Sequence, residues 1–257
     1  MNRDSTSRRR FLMMSALLGT GLFGAAACGS ATTAERTAPA TGREAAPEPS
    51  PRHAPGRAVP DRAAAATIDE VTYKVDTDDP VVFLTIDDGL TRHPDMADLL
   101  QEHGLQATLF LTDQYVRQDA GFFRELRDRT GSVIENHTLD HPDLSTLPFE
   151  EQRRQVGQTS DHYQREFGRR PTLLRPPYGE FNDDTLRAAG ESGVTHVVHW
   201  TAVIDQGDIE YAAGDRLEPG DIVLMHFREA FRADVERFVE EAERAGLRPA
   251  LLEDYLT

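Results

Sequence analysis

From about residue 68 the chain alternates between short apolar runs and amphipathic stretches. Pro80-Val-Val-Phe-Leu-Thr-Ile86 is apolar but for Thr85 and rich in β-branched residues, which predicts a buried strand over 80–86. A helix is predicted over 94–103, opened by Pro94 and closed by Gly104. The same reading gives strands at 107–111 and 132–135, with a helix at 122–129 that stops near Gly131. A long polar helix follows over 149–167, then a short strand at 172–174. Helix 183–189, strands 194–200 and 221–225, helix 230–245 and strand 248–252 complete the series.

Strands that alternate with helices imply a mainly parallel sheet with right-handed crossovers, an α/β fold. A closed eight-fold barrel takes about 250 residues. Fewer are available here, so an incomplete or distorted (β/α) barrel fits better, with an open doubly wound sheet as the alternative. In both, chemistry gathers at the C-terminal ends of the strands.

The residues before this pattern are of two kinds. Ser7-Arg8-Arg9-Arg10-Phe11-Leu12 leads into an apolar run ending at Ala27. That run is short for a membrane span of ~20 residues. Its charged start and small-residue end fit an export signal over 1–28, and the paired arginines before Phe11-Leu12 resemble a twin-arginine signal. Cys28, the only cysteine, follows Ala25-Ala26-Ala27 and excludes an intrachain disulfide. The arrangement resembles a lipobox, which makes Cys28 a candidate lipidation site. Alanine stands where the usual leucine would, and that leaves ordinary cleavage as the competing reading. Residues 29–67 are rich in Ala, Pro, Thr and Arg and nearly devoid of large apolar side chains, so they read as a disordered tether ahead of a domain at 68–257.

Charge narrows the partners. The formal net charge is −16, against 39% hydrophobic residues. Phosphate binding needs a basic face, so nucleic acid is excluded as an expected partner. Membrane contact is expected only through an N-terminal lipid anchor, and the domain is expected to be a monomer.

Candidate chemistry lies at predicted strand ends. Asp87-Asp88-Gly89 follows the first strand; Asp-Gly is also a common turn pair. His137 and His141 follow the third strand, four residues apart. Taken alone, such a pair is more often structural than metal-binding. With Asp88 it offers one oxygen and two nitrogen ligands, a set that suits a catalytic divalent metal, most simply Zn²⁺. Asp87 is then free to act as a base. Arg175-Pro176-Pro177-Tyr178-Gly179 follows another strand, its prolines stiffening the backbone beside a candidate carboxylate-orienting arginine. His226 ends the apolar run Ile222-Val223-Leu224-Met225, where a satisfied core histidine is as reasonable as a catalytic one.

In order and spacing, Thr85-Ile-Asp-Asp-Gly89, His137-Thr-Leu-Asp-His141-Pro142, Arg175-Pro-Pro-Tyr-Gly179 and Leu224-Met-His226 resemble the polysaccharide deacetylases with a NodB-like domain, carbohydrate esterase family 4. The resemblance covers roughly residues 70–257. It implies a distorted barrel of that family's type, with 68–257 as the catalytic domain. It implies that Asp88, His137 and His141 bind a divalent metal, Zn²⁺ first and Co²⁺ or another as alternatives. Asp87 would be the base, Arg175 its holder, and His226 the acid. The backbone N–H of Tyr178 would stabilise the oxyanion. Leu224 would line the pocket for the acetyl methyl group, with Pro177 also at the substrate.

One motif departs from the family's pattern. Members usually carry an Asp-Trp pair ahead of the Leu-x-His segment. Here the region reads His199-Trp200-Thr-Ala-Val-Ile-Asp205-Gln-Gly-Asp208, with no tryptophan after the aspartate. Asp205 is expected to orient His226, and Trp200 offers either a stacking face for a sugar or a core residue. His93 and His103 read as solvated, His162 as a residue of a polar helix, His196 and His199 as strand residues facing opposite sides, and Asp140 and Asp143 as loop hydrogen-bonders.

The resemblance implies removal of acetyl groups from N-acetylhexosamine residues of an extracellular or cell-wall polysaccharide, peptidoglycan or chitin-like. An O-acetyl esterase acting on xylan-type polymers and a non-catalytic glycan-binding lipoprotein are the alternatives. The expected location is the outer face of the cytoplasmic membrane, or secreted.

Overall fold

The computed structural model describes residues 67–256. The expected export signal over 1–28, Cys28 and the tether up to residue 66 lie outside the described residues.

The strands, in chain order, are β1 Val71–Thr72, β2 Val81–Asp88, β3 Thr108–Leu111, β4 Val133–Asn136, β5 Leu173–Leu174, β6 His196–Val198, β7 Ala202–Asp205, β8 Asp208–Tyr211, β9 Ile222–His226 and β10 Arg248–Ala250. The helices are α1 Met96–Glu102, α2 Asp113–Val116, α3 Ala120–Thr130, α4 Phe149–Phe167, α5 Asp183–Glu191 and α6 Phe231–Ala245. Neighbours run β1-β6-β5-β4-β3-β2-β9-β7-β8, with β10 also paired to β2, and the path does not close on itself among the described residues. This is the incomplete, distorted barrel expected from the chain length.

Every ladder is parallel except β7 with β8. That hairpin was not anticipated. Gln206 and Gly207 both adopt positive φ, 55° and 80°, the conformation that a tight hairpin turn requires. Its second strand alternates exposed and half-buried residues, so it lacks the continuous apolar run that marks the central strands.

β2 shows how the pleat positions the chemistry. Val82, Leu84 and Ile86 pack outward into the main core with α1, α3 and α6. Val81 and Phe83 point the other way, into a second cluster with Phe110, Leu173, Val198 and Ile222. Fully burying each such side chain contributes roughly 1.5–3 kcal/mol. By the two-residue period of a strand, Thr85 and Asp87 continue this inner face. The interior therefore changes from apolar at the bottom to polar at the C-terminal end of the sheet.

Candidate active site

Asp87 and Asp88 close β2, and the strand is stopped at Gly89. Its φ is 94°, and a Cβ there would lie 2.7 Å from Cζ of Phe123, so the position needs glycine for both its dihedral and its packing. Asp87 stands in register with His226 on the neighbouring β9, and Thr85 with Leu224 one layer below. Neighbouring strands lie about 4.8 Å apart, so base and acid candidates share one shelf. Leu224 is buried beneath it.

Asp88 turns away from its neighbour with φ of 77°. Its Oδ1 lies 3.2 Å from Nε2 of His141 and 3.6 Å from Nε2 of His137. One ligand atom from each of the three residues falls within 4.8 Å of the others. Donors arranged tetrahedrally at ~2.1 Å from a zinc ion are about 3.4 Å apart, so the spacing fits a single divalent ion. The tautomer fits as well. Nδ1 of His137 lies 2.7 Å from the carbonyl oxygen of Arg175, to which it can only donate, leaving the Nε2 lone pair aimed at the cluster. Burial, with His141 adding to it, holds His137 neutral down to about 3. Burial would raise the Asp88 carboxyl, but its hydrogen bond to His141 and the nearby His137 outweigh that and hold it ionised, well below the usual range.

Asp87 is buried, which pushes its carboxyl up, and Arg175 pulls it part of the way back. Nη1 of Arg175 donates to Asp87 Oδ1 and to Thr85 Oγ1, each at 2.8 Å, and Nη2 donates to the carbonyl of His199 at 2.9 Å. The guanidinium also lies over the Phe110 ring, 4.3 Å from its centroid. Pro176 and Pro177 then lead into a tight turn in which Tyr178 has φ of 60°. Pro177 is buried within this turn, whereas the Tyr178 side chain is 56% exposed, its ring 4.7 Å from that of His141. Trp200 stacks on His199 and reaches to the turn, where a Cβ on Gly179 would be 3.0 Å from its ring.

His226 is nearly buried, which lowers its pKa, while Asp87 and Asp88 oppose that shift. Asp205 does not orient it. The β7–β9 ladder ends at Val203 opposite Leu224, before Asp205 comes level with His226. Asp205 instead faces Arg228 at 3.5 Å, and Nδ1 of His226 has no hydrogen-bond partner among the described residues.

Two further departures concern residues read as merely polar. His162 meets the fully buried carboxylate of Asp113. α4, read as polar, buries Gln152, Gln155, Thr159 and Ser160 along one face together with Val156 and Tyr163. Their three- and four-residue spacing was present in the sequence, but small polar residues on an inward face carry no hydrophobic signal. Asp140 and Asp143 accept hydrogen bonds from Gln155 and Ser145.

Comparison with known proteins follows the same lines. The family model described as polysaccharide deacetylase matches residues 74–197, which include Asp87, Asp88, His137, His141 and Arg175 and end before His226. An uncharacterised protein of Streptomyces coelicolor is 44% identical over 192 residues, 72% of this chain and 77% of that protein. The peptidoglycan-N-acetylglucosamine deacetylase of Bacillus cereus is 32% identical over 155 residues, 56% of this chain and 55% of its own length. A family 4 carbohydrate esterase from Streptomyces lividans, solved in complex with acetate, superposes with a TM-score of 0.59 at 26% identity, covering 67% of this chain and 92% of that one. With the carboxylate–imidazole cluster at the strand ends of a half-closed barrel, these likenesses make the chain a member of the polysaccharide deacetylase family, carbohydrate esterase family 4.

Proposed function

We propose that this protein removes acetyl groups from N-acetylhexosamine residues of an extracellular or cell-wall polysaccharide, peptidoglycan or chitin-like. The observation that carries the reading is the convergence of Asp88, His137 and His141 beside a separate buried carboxylate, Asp87, and a separate imidazole, His226.

Asp88, His137 and His141 hold the cation. A divalent ion there, most simply Zn²⁺ with Co²⁺ or another as alternatives, supplies Lewis acidity and makes water nucleophilic near neutral pH. Asp87 accepts the proton of the attacking water, for which a carboxylate raised by burial is a better base than a free one. Arg175 keeps that carboxylate aimed. The N–H of Tyr178 donates to the carbonyl oxygen as charge develops; one such donor is typically worth ~10²–10³ in rate. His226 donates a proton to the departing sugar amine, so two groups carry the two transfers. Leu224 floors a small methyl pocket, and Trp200 with the Tyr178 ring offers apolar surface to the sugar.

The unpartnered Nδ1 of His226 favours a second reading, a glycan-binding protein without catalysis. The decisive experiment measures acetate released by metal-loaded protein, with and without chelator, from N-acetylglucosamine oligomers, peptidoglycan and acetylated xylan. Release from the N-acetylated glycans, lost with chelator and reduced ~10²-fold or more in Asp87→Asn, is expected. Release from xylan alone would make the protein an O-acetyl esterase. No excess over Asp87→Asn on any glycan would leave only the binding role.

The N-terminal pattern supports export by the twin-arginine route and lipidation at Cys28, with the monomeric domain held at the outer face of the membrane. Cell fractionation of Cys28→Ala tests this; an unchanged membrane fraction overturns the anchor.

A further inference from the structure

His141 is the ligand candidate that the sheet itself does not hold. His137 directly follows β4, and its ring is fixed by the Arg175 carbonyl. His141 lies at the far end of a loop that contains no glycine, yet Thr138 and His141 adopt φ of 69° and 60°. Conformations of that kind persist only where the surroundings over-determine them.

The loop's hydrogen bonds identify what does so. Thr138 N–H donates to Oδ1 of Asn136, the last residue of β4, at 2.8 Å, and within the loop His141 N–H donates to Thr138 Oγ1 at 3.2 Å. The carbonyls of Thr138 and Leu139 accept from the backbone of Asp113 and Gln114. The two amides between the strained residues, Leu139 and Asp140, both donate to one atom from elsewhere, Oε1 of Gln155, at 3.0 and 3.1 Å. Gln155 Nε2 in turn donates to Asp140 Oδ2 at 3.1 Å. Gln155 is buried and sits mid-helix on α4, so its position is set by the helix packing rather than by the loop.

We propose that Gln155 is a positioning residue for the metal site: its carbonyl oxygen clamps the Leu139 and Asp140 amides and so pre-sets His141 to share an ion with Asp88 and His137. The inference rests on the reading that these three residues hold a divalent cation. Ligand supports of this kind typically govern ~10–100-fold in metal affinity.

The test uses the full chain and two substitutions of Gln155. Gln155→Met is close in length and lacks the acceptor; Gln155→Glu keeps an oxygen for both amides. Zn²⁺ affinity is measured by competition with a chromophoric chelator, and coordination by the absorption spectrum of the Co²⁺-loaded protein. Wild-type protein binding one ion, Gln155→Met binding it ~10–100-fold more weakly with an altered Co²⁺ spectrum, and Gln155→Glu recovering most of the loss once Asp140→Asn removes the opposed carboxylate is the expected result. Wild type that binds no ion defeats the underlying metal reading. Wild type and Gln155→Met binding alike, or Gln155→Glu no better than Gln155→Met when Asp140→Asn removes the opposed carboxylate, overturns the clamp alone. Hydrogen exchange on metal-free wild type tests the clamp even where Gln155→Met does not fold: the Leu139 and Asp140 amides are expected to be protected, and exchange at unprotected rates overturns it.

Discussion

Nη1 of Arg175 donates to Oδ1 of Asp87 across 2.8 Å, and neither side chain is open to solvent. The pair joins the strand after α4 to the central strand, and it sets both the orientation and the proton affinity of the proposed base. Lysine keeps the charge but lacks the planar fork that also reaches Thr85 and the His199 carbonyl. Arg175→Lys is therefore expected to lower kcat/KM by ~10-fold or more. Burial raises the Asp87 pKa and Arg175 offsets it, so weakening the pair raises it further. The base must be ionised, so the acid limb of the pH profile is expected to move to higher pH. A limb that stays in place would dissociate Arg175 from the tuning of Asp87.

Metal occupancy should register in stability as well as in rate. An ion at ~100-fold over its dissociation constant stabilises the folded state by about 2.7 kcal/mol. For a domain of this size that is a rise in Tm of roughly 5–10 °C. Calorimetry with Zn²⁺ and with chelator is expected to show the rise in wild type and its loss in His141→Ala. An equal rise in the variant would place the ion elsewhere.

A second buried carboxylate gives a pH signature unrelated to catalysis. Glu253 accepts from Thr108 Oγ1 at 2.7 Å, but its other oxygen has no partner among the described residues, and burial with Glu135 nearby pushes its carboxyl up to about 8. The unfolded value is near 4.5. Between these pH values the folded state holds a proton that the unfolded state has released. Stability therefore falls as pH rises through that window, by at most about 1.4 kcal/mol per pH unit from this group. Glu253→Gln removes the penalty: its Tm is expected to exceed that of wild type by several degrees at pH 8.5 and to match it near pH 4.5. Parallel curves for the two proteins would refute the assignment.

The legible elements share a reason. β2 and β9 are buried along nearly their whole length, so each reads as an apolar run, and the polar residues that end those runs, Asp87, Asp88 and His226, mark the end where the site lies. α4 occupies 149–167, the span read from the sequence, with Pro148 at its N-cap and Gly168 closing it in a left-handed cap. The β7–β8 hairpin was missed because each strand is only four residues long, and β8, at the sheet edge, alternates exposed with half-buried residues instead of forming an apolar run. The expectation that Asp205 orients His226 followed its place in the chain. The ladder that would have held it there stops two residues earlier, and Arg228 takes the carboxylate.

Read alone, the chain specified the alternation of strands and helices, the carboxylates and imidazoles at the strand ends, and the family they resemble, because local periodicity and short motifs are written into neighbouring residues. Folding decided which of those polar groups meet. Residues 88, 137 and 141 share one ion-sized space, Gln155 ties down the loop between two of them, His162 finds Asp113, and Glu253 is stranded near Glu135. Apart from His137 and His141, which stand four positions apart, these partnerships join residues at least 15 positions apart in the chain, such as Gln155 and Asp140, or far more, such as Glu253 and Glu135. Hydrogen bonding and burial at that range depend on how elements pack, which no local pattern of apolar and polar positions encodes.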